Sequence, residues 1–285
     1  MSTYMDYKQA ATLYDEARIP AGATSIWQIM MSLLKMDTEK IHVLEAGCGT
    51  GNYSLEFLQH GLKNLTMTDA SEHMLEKARQ KTLAFKECVK VRQMVLPNLE
   101  FPDEQFDAVL FIQVFHHIDS VNHDKELLIR EDYPNMIRSV KEAYRIMKPG
   151  GVLVIDTMFK ENIDSFWWTS LCPKAARLMK NLRMKKEDLL ELLSECGFKD
   201  IMYVVRPASC LMKRDIYDDI LKINDPHWRS YLSQFKLPEK TGELEKLIEI
   251  VNNKQKEGCL DSFFYDLNKT FRMYGNHSTV YAVKP

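Results

Sequence analysis

Two carboxylates bracket a glycine-rich turn, and their spacing is the clearest chemical signal in the chain. Glu45 stands two residues before the first glycine of Gly47-Cys48-Gly49-Thr50-Gly51, and Asp69 follows further along. Glycines in such a turn adopt positive φ and let a ligand approach the backbone without a Cβ in the way. A helix that starts just after the turn points its unpaired N–H groups at whatever sits there. A diphosphate favours such a place only without a nearby negative side chain, so Glu45 suits a ligand that carries an ammonium group. An acid about 20 residues after the turn, at the end of the next strand, stands where a ribose diol is bound in nucleotide folds. The Gly-x-Gly-x-Gly spacing also departs from the Gly-x-Gly-x-x-Gly of dinucleotide sites, which counts against a nicotinamide-dependent oxidoreductase.

These groups need a scaffold, and the apolar pattern supplies one. Residues 41–46 read as a short buried strand, 52–60 as a helix and 65–68 as a second strand. Ser71 is placed to cap a helix over 72–83. Further strands are expected at 89–95, 106–112, 152–156, 201–205 and 278–283. Helices are expected at 26–35, started by Thr24 or Ser25, and at 135–147 and 186–196. Strand and helix alternate, so the fold class is α/β, a parallel sheet with helices on both faces. Helical patterns near 213–223, 226–234 and 242–256 interrupt the last pair of strands.

Glu-x-Gly-x-Gly-x-Gly, then Asp69-Ala70-Ser71-x-x-Met74-Leu75, and Arg145-Ile146-Met147-Lys148-Pro149-Gly150-Gly151 ahead of the fifth strand together resemble the class I S-adenosylmethionine-dependent methyltransferases. The resemblance is to their small-molecule branch, the methyltransferase type 11 group of UbiE-like and trans-aconitate-methyltransferase-like enzymes. It implies a Rossmann-like seven-stranded sheet with a helical cap. The chain then divides into lid helices at 1–40, a core at 41–206, a cap insertion at 207–275 and a final core strand at 276–285, all one domain. It also implies S-adenosylmethionine as cofactor, S-adenosylhomocysteine as product, and in-line methyl transfer to an oxygen, nitrogen, sulfur or carbon nucleophile of a small molecule.

The resemblance assigns residues as well. Tyr14 and Arg18, in a Tyr-Asp-x-x-Arg segment, would form a lid, Tyr14 over the sulfonium and Arg18 near the amino-acid end. Glu45, Gly47, Cys48, Gly49 and Gly51 would form the turn. Asp69, Ala70 and Met74 would take the adenosine, with Met74 against adenine. Leu96 and Gln113 would close the site from the ends of the third and fourth strands. The chain departs from the pattern at Val95-Leu96, where relatives commonly carry an Asp-Ala pair that holds the adenine amino group. Adenine recognition here would rest on backbone and apolar contact.

The fourth strand ends in Gln113-Val114-Phe115-His116-His117. Read as extended chain, the two histidines point to opposite faces, so a metal pair is not expected. His117 is a possible general base through its tunable pKa, with a structural tether as the rival reading. Beyond the fifth strand, Trp168 is a candidate for the substrate wall, and so is Trp228 in Trp228-Arg229-Ser230-Tyr231, which resembles a segment of trans-aconitate-type enzymes. Residues 120–134 read as an insertion at the ligand edge.

Composition narrows the partners. A net charge of −2 and a pI near 6.5 give no reason to expect nucleic acid or a charged membrane surface. No apolar run reaches the roughly 18 residues of a membrane span, and no basic start with an apolar stretch marks a signal peptide. Six cysteines without a CxxC pair read as reduced thiols, so a cytoplasmic protein is expected. The alternative to a small-molecule methyltransferase is a catalytically silent S-adenosylmethionine-binding or interaction protein.

Overall fold

The computed structural model describes residues 15–119, 132–230 and 233–285. Among them, seven strands form one sheet in the order β3-β2-β1-β4-β5-β7-β6. The strands are β1 (His42–Ala46), β2 (Asn64–Asp69), β3 (Val89–Gln93), β4 (Phe106–Ile112), β5 (Met147–Thr157), β6 (Lys199–Val205) and β7 (Ser278–Val283). β1 to β5 pair in parallel, while β7 inserts antiparallel between β5 and β6. The strand order reverses between β1 and β4, and a crevice opens there at the carboxyl ends of the strands.

Side-chain alternation along the central strands divides the core. Leu44 and Ala46 of β1, with Val109 and Phe111 of β4, face a layer that includes α5 (Pro134–Ile146) and α7 (Lys186–Glu195). Val43, with Ala108, Leu110 and Ile112, faces α1 (Ala23–Leu34), α2 (Asn52–Gln59) and α3 (Glu72–Lys81). β4 is buried along its whole length, as expected of a central strand covered on both sides. Each large apolar side chain so buried contributes about 1.5–3 kcal/mol. Glu45 shares the α2 face with Val43 because a strand repeats every two residues.

Local expectations needed correction in places. α1 begins after Gly22, which sits in the left-handed region at φ 77°, and neither Thr24 nor Ser25 caps it. Ser71 does hold the cap position of α3, yet its side chain makes no capping bond. β5 runs back through Lys148-Pro149-Gly150-Gly151, residues read from sequence as a helix stop, and it bulges against β4 between Phe106 and Ala108. The stop and the strand start are one stretch because Pro149 and the glycines form an irregular strand entry rather than a free turn.

A second apolar cluster lies apart from the sheet. It joins Phe166, Trp167, Trp168 and α6 (Pro173–Asn181) to the helices between β6 and β7, among them Pro226–Ser230 and Leu244–Lys256. The helices Leu260–Leu267 and Lys269–Tyr274 that lead into β7 were not read from sequence. No helix of the described residues is long and apolar enough to cross a membrane.

Candidate active site

The cleft at the strand-order reversal is lined from β1, the glycine-rich turn, β2, β3 and β4, and is roofed by Arg18, Ile19 and Leu211. It encloses about 1120 Å³ of empty space that is partly open to solvent.

The turn is built to let a ligand lie on it. Gly47 has φ 81°, and a Cβ there would stand 2.3 Å from Val114 Cγ2. Its N–H and that of Cys48 both donate to the Thr68 carbonyl, at 2.7 and 2.9 Å, which ties the turn to β2. Gly49 differs: it has φ 55°, and a Cβ would meet nothing within 4 Å. The turn therefore leaves open space above a residue that lines the cleft. Gly51, at the start of α2, packs against Ala78 and supports the turn from behind instead of lining the cleft.

Two acids occupy one side. Asp69 accepts from Gly49 N–H and Ser71 N–H, both at 2.9 Å, so its carboxylate joins the turn to the start of α3. Burial pushes its pKa up, and those backbone bonds pull it partly back. Glu45 is 1% exposed and accepts a short hydrogen bond from Ser54 Oγ of α2. Burial pushes it up to about 7, with the nearby Asp69 charge adding in the same direction and Ser54 opposing. An ammonium group brought beside Glu45 would restore its ionised form. Cys48 lines the same side, and burial holds its thiol protonated.

The opposite wall is apolar. Met74, Met94, Val95, Leu96 and Ile112 line it, and no carboxylate stands among them. Gln113, just beyond β4, is held at φ 55°, with its N–H on the Asp156 carbonyl at 2.7 Å and its side-chain Nε2 on Asp156 Oδ1 at 2.6 Å. Ala70 lines the cleft beside Asp69.

His116 and His117 lie in a short helical turn, α4 (Phe115–Ile118), and not in extended chain, with their rings 4.0 Å apart. The opposite-face expectation fails because the backbone coils immediately after Gln113. His117 reaches the cleft. Burial pushes its pKa down to about 3, with Arg183 and Arg18 adding to the shift. At neutral pH it is an uncharged imidazole, the form that can accept a hydrogen bond or a proton.

The cleft thus gathers Arg18, Glu45, Gly47, Cys48, Gly49, Asp69, Ala70, Met74, Leu96, Gln113 and His117 from the sequence reading. Tyr14 lies outside the described residues, as does nearly all of the 120–134 insertion. Trp168 and Trp228 do not line it. Trp168 is fully buried with its ring 5.9 Å from Phe235, and Trp228 packs on the same phenylalanine at 5.3 Å, so both are core of the helical cluster. An aromatic stripe at helical spacing reads equally as pocket or core, and here the packing partner Phe235 decides it. Sequence reasoning missed Met94, Leu211 and Thr50; the last was visible inside the turn itself.

Comparison with known proteins fits this geometry. Residues 44–155 match the methyltransferase domain family. The chain is 30% identical over 165 residues to 2-methyl-6-phytyl-1,4-hydroquinone methyltransferase 2 of Oryza sativa, covering 58% of this chain and 40% of the rice protein. It is 21% identical over 188 residues to the ubiquinone/menaquinone biosynthesis C-methyltransferase UbiE of Rickettsia akari, covering 57% and 70%. The chain spans about half the length of the hydroquinone methyltransferases it matches, from 40% to 52%. A crystal structure of a candidate methyltransferase from an antibiotic biosynthesis pathway of Anabaena variabilis superposes with a TM-score of 0.70 at 18% identity, over 93% of this chain and 98% of that one. At that identity the likeness concerns the fold.

Residues 44–155 thus carry a domain that matches the methyltransferase family, whose cofactor is S-adenosylmethionine, on a seven-stranded sheet of the same fold as the Anabaena structure. The family's cofactor suits the donor set of the cleft: a buried acid of raised pKa for an ammonium, an acid at the β2 end for a diol, and an apolar wall for a base.

Proposed function

We propose that the chain transfers a methyl group from S-adenosylmethionine to a small-molecule acceptor. The observation that carries this reading is the pairing of Glu45 and Asp69 across an open glycine turn, facing an apolar wall beneath Arg18, Ile19 and Leu211. When bound, the cofactor supplies an electrophilic methyl on a sulfonium, so the protein's share is binding, orientation and exclusion of water. Glu45 receives the ammonium and Asp69 the ribose hydroxyls. Arg18 faces the carboxylate end, and Met74, Met94 and Leu96 cover the adenine in place of a hydrogen-bonding acid.

His117 enters as a neutral imidazole beside the acceptor and orients it, and an acceptor that is already nucleophilic needs no proton removed. Segment 207–275 acts as the cap that closes on the acceptor, and the core comprises 41–206 with the final strand at 276–285. Hydroquinone methyltransferases among the relatives, and the absence of a basic surplus in the chain, favour a small acceptor over a nucleic acid.

Calorimetric titration with S-adenosylmethionine and S-adenosylhomocysteine, with Asp69→Ala alongside, tests the site. Micromolar binding that the variant loses supports it. Turnover of methyl-labelled cofactor against phenols, hydroquinones, amines, thiols and transfer RNA then identifies the acceptor class. Binding without turnover on any of them would favour the silent cofactor-binding protein, and no binding of either ligand would sink both readings.

A further inference from the structure

The roof of the cleft is a strap made of two pieces of chain that are distant in sequence. Ile19 N–H donates to the Leu211 carbonyl at 2.9 Å, and Lys213 N–H donates to the Ala17 carbonyl at 3.0 Å, so residues 17–19 pair antiparallel with 211–213. Arg18, Ile19 and Leu211 of this pair all line the cleft. One end of the strap is fixed where Tyr53 Oη donates to the Ala21 carbonyl at 3.0 Å. Toward the other end, Asp15 ties the strap to the glycine turn and α3. Asp15 Oδ1 accepts from Thr50 Oγ1 at 2.6 Å, and Asp15 Oδ2 lies 2.8 Å from Lys81 Nζ. Lys81 Nζ also reaches Thr50 Oγ1 at 3.2 Å and makes a short bond to Asn52 Oδ1.

We propose that Asp15 is a positioning residue that latches the strap over the bound cofactor, through Thr50 of the glycine turn and Lys81 at the end of α3. Thr50 sits between Gly49, on which a ligand would lie, and Gly51, which starts α2. The same turn that receives the ligand therefore receives the latch. Lifting the strap widens the way out for a ligand lying on that turn, and the latch is the end that yields, because its two charges are partly exposed, at 19% for Lys81 and 36% for Asp15. Release rate is then set at a residue that touches no ligand. Because 211–213 lead into the helices between β6 and β7, lifting the strap also disturbs the cap. The release-rate part rests on the cofactor reading above; the strap itself does not.

The test measures dissociation of S-adenosylhomocysteine by stopped-flow chase, together with amide exchange at Ile19 and Lys213 in the unliganded protein. For Asp15→Ala, loss of a charge-assisted hydrogen bond and a half-exposed ion pair predicts release about tenfold faster. Exchange at both amides rises, and the melting temperature moves by no more than about 2 °C. Lys81→Met gives a smaller change in the same direction, and Asp15→Lys with Lys81→Asp restores part of the wild-type rate. Raising salt to 1 M speeds release from the wild type but not from Asp15→Ala, since screening acts on the pair. Unchanged release and unchanged exchange in Asp15→Ala would overturn the latch while leaving the cofactor site intact. If the wild type binds no ligand, the cofactor reading falls, and the exchange at Ile19 and Lys213 still decides whether Asp15 holds the strap.

Discussion

Gln113 and Asp156 are joined twice, once through the backbone and once through the side chains. The Gln113 N–H donates to the Asp156 carbonyl at 2.7 Å, and its Nε2 donates to Asp156 Oδ1 at 2.6 Å. An ionised carboxylate only accepts, so this contact fixes which end of the Gln113 amide faces it. Asp156 is fully buried and also receives Thr279 Oγ1 at 2.6 Å and a short bond from Arg206, with His277 Nδ1 at 2.9 Å. The floor of the cleft is thereby tied to β5, β7 and the segment after β6.

Asp156→Ala is expected to destabilise the protein by about 3–5 kcal/mol, since it strands the Arg206 guanidinium, only 12% exposed, without its counter-charge. Burial alone would raise the Asp156 pKa, but His277 and Arg206 outweigh it and hold the carboxyl well below the usual range. A carboxylate with a depressed folded pKa contributes stability that is present above its unfolded value, about 3.9, and is lost as pH falls further. Urea titrations between pH 7 and pH 3 check both points. Asp156→Asn should flatten the acid limb of the wild type, and an unchanged limb would refute the assignment.

Glu45 behaves in the opposite sense. Its folded pKa, raised to about 7, means that its contribution to stability is present at low pH and is lost as pH rises through neutrality. Binding of a ligand ammonium reverses the preference and drives a proton off. At pH 7 the wild type should release about half a proton more per bound S-adenosylhomocysteine than Glu45→Gln does. Calorimetry in two buffers of different ionisation enthalpy reads this difference, and it removes the ligand's own amino titration because that is common to both proteins. Equal release by both proteins would show that Glu45 does not meet the ammonium.

The sheet and the glycine-turn side of the cleft were legible because they rest on local rules: alternation, glycine in a tight turn, and an acid at a strand end. β4 was read with the same bounds as observed, 106–112. What stayed hidden depends on tertiary partners. Nothing near Trp168 in sequence announces Phe235 as its neighbour, and nothing in Gln113-Val114-Phe115-His116-His117 says that the chain coils after Gln113. The strap across 17–19 and 211–213 joins segments almost 200 residues apart, as the Ile19 to Leu211 bond shows, and carries no periodic signal.

Gly47 and Gly49 of the turn should fail differently. Gly47→Ala places a Cβ 2.3 Å from Val114 at φ 81°, so it combines a steric clash with backbone strain. A loss of more than about 2 kcal/mol is expected, along with ligand binding. Gly49→Ala meets no neighbour and carries only the strain of φ 55°, about 1–2 kcal/mol. Its affinity should still fall, since the methyl enters the space a ligand takes. Thermal melts with and without S-adenosylhomocysteine separate the two, and a Gly49→Ala protein that is stabilised by ligand as fully as the wild type would argue that the ligand lies elsewhere.

Trp168 decides whether the aromatic cluster is wall or core. Fully buried beside Phe166 and Phe235, it should cost about 3–5 kcal/mol when cut to alanine. Trp168→Phe keeps most of the packing, and it loses no hydrogen bond among the described residues, where the indole Nε1 has no partner. That variant should keep the wild-type KM for cofactor and for acceptor once an acceptor is in hand, with a melting temperature a few degrees lower. A core residue alters stability first, whereas a wall residue alters KM first. A rise of tenfold or more in acceptor KM for Trp168→Phe at unchanged melting temperature would return Trp168 to the substrate pocket, where its sequence context alone had placed it.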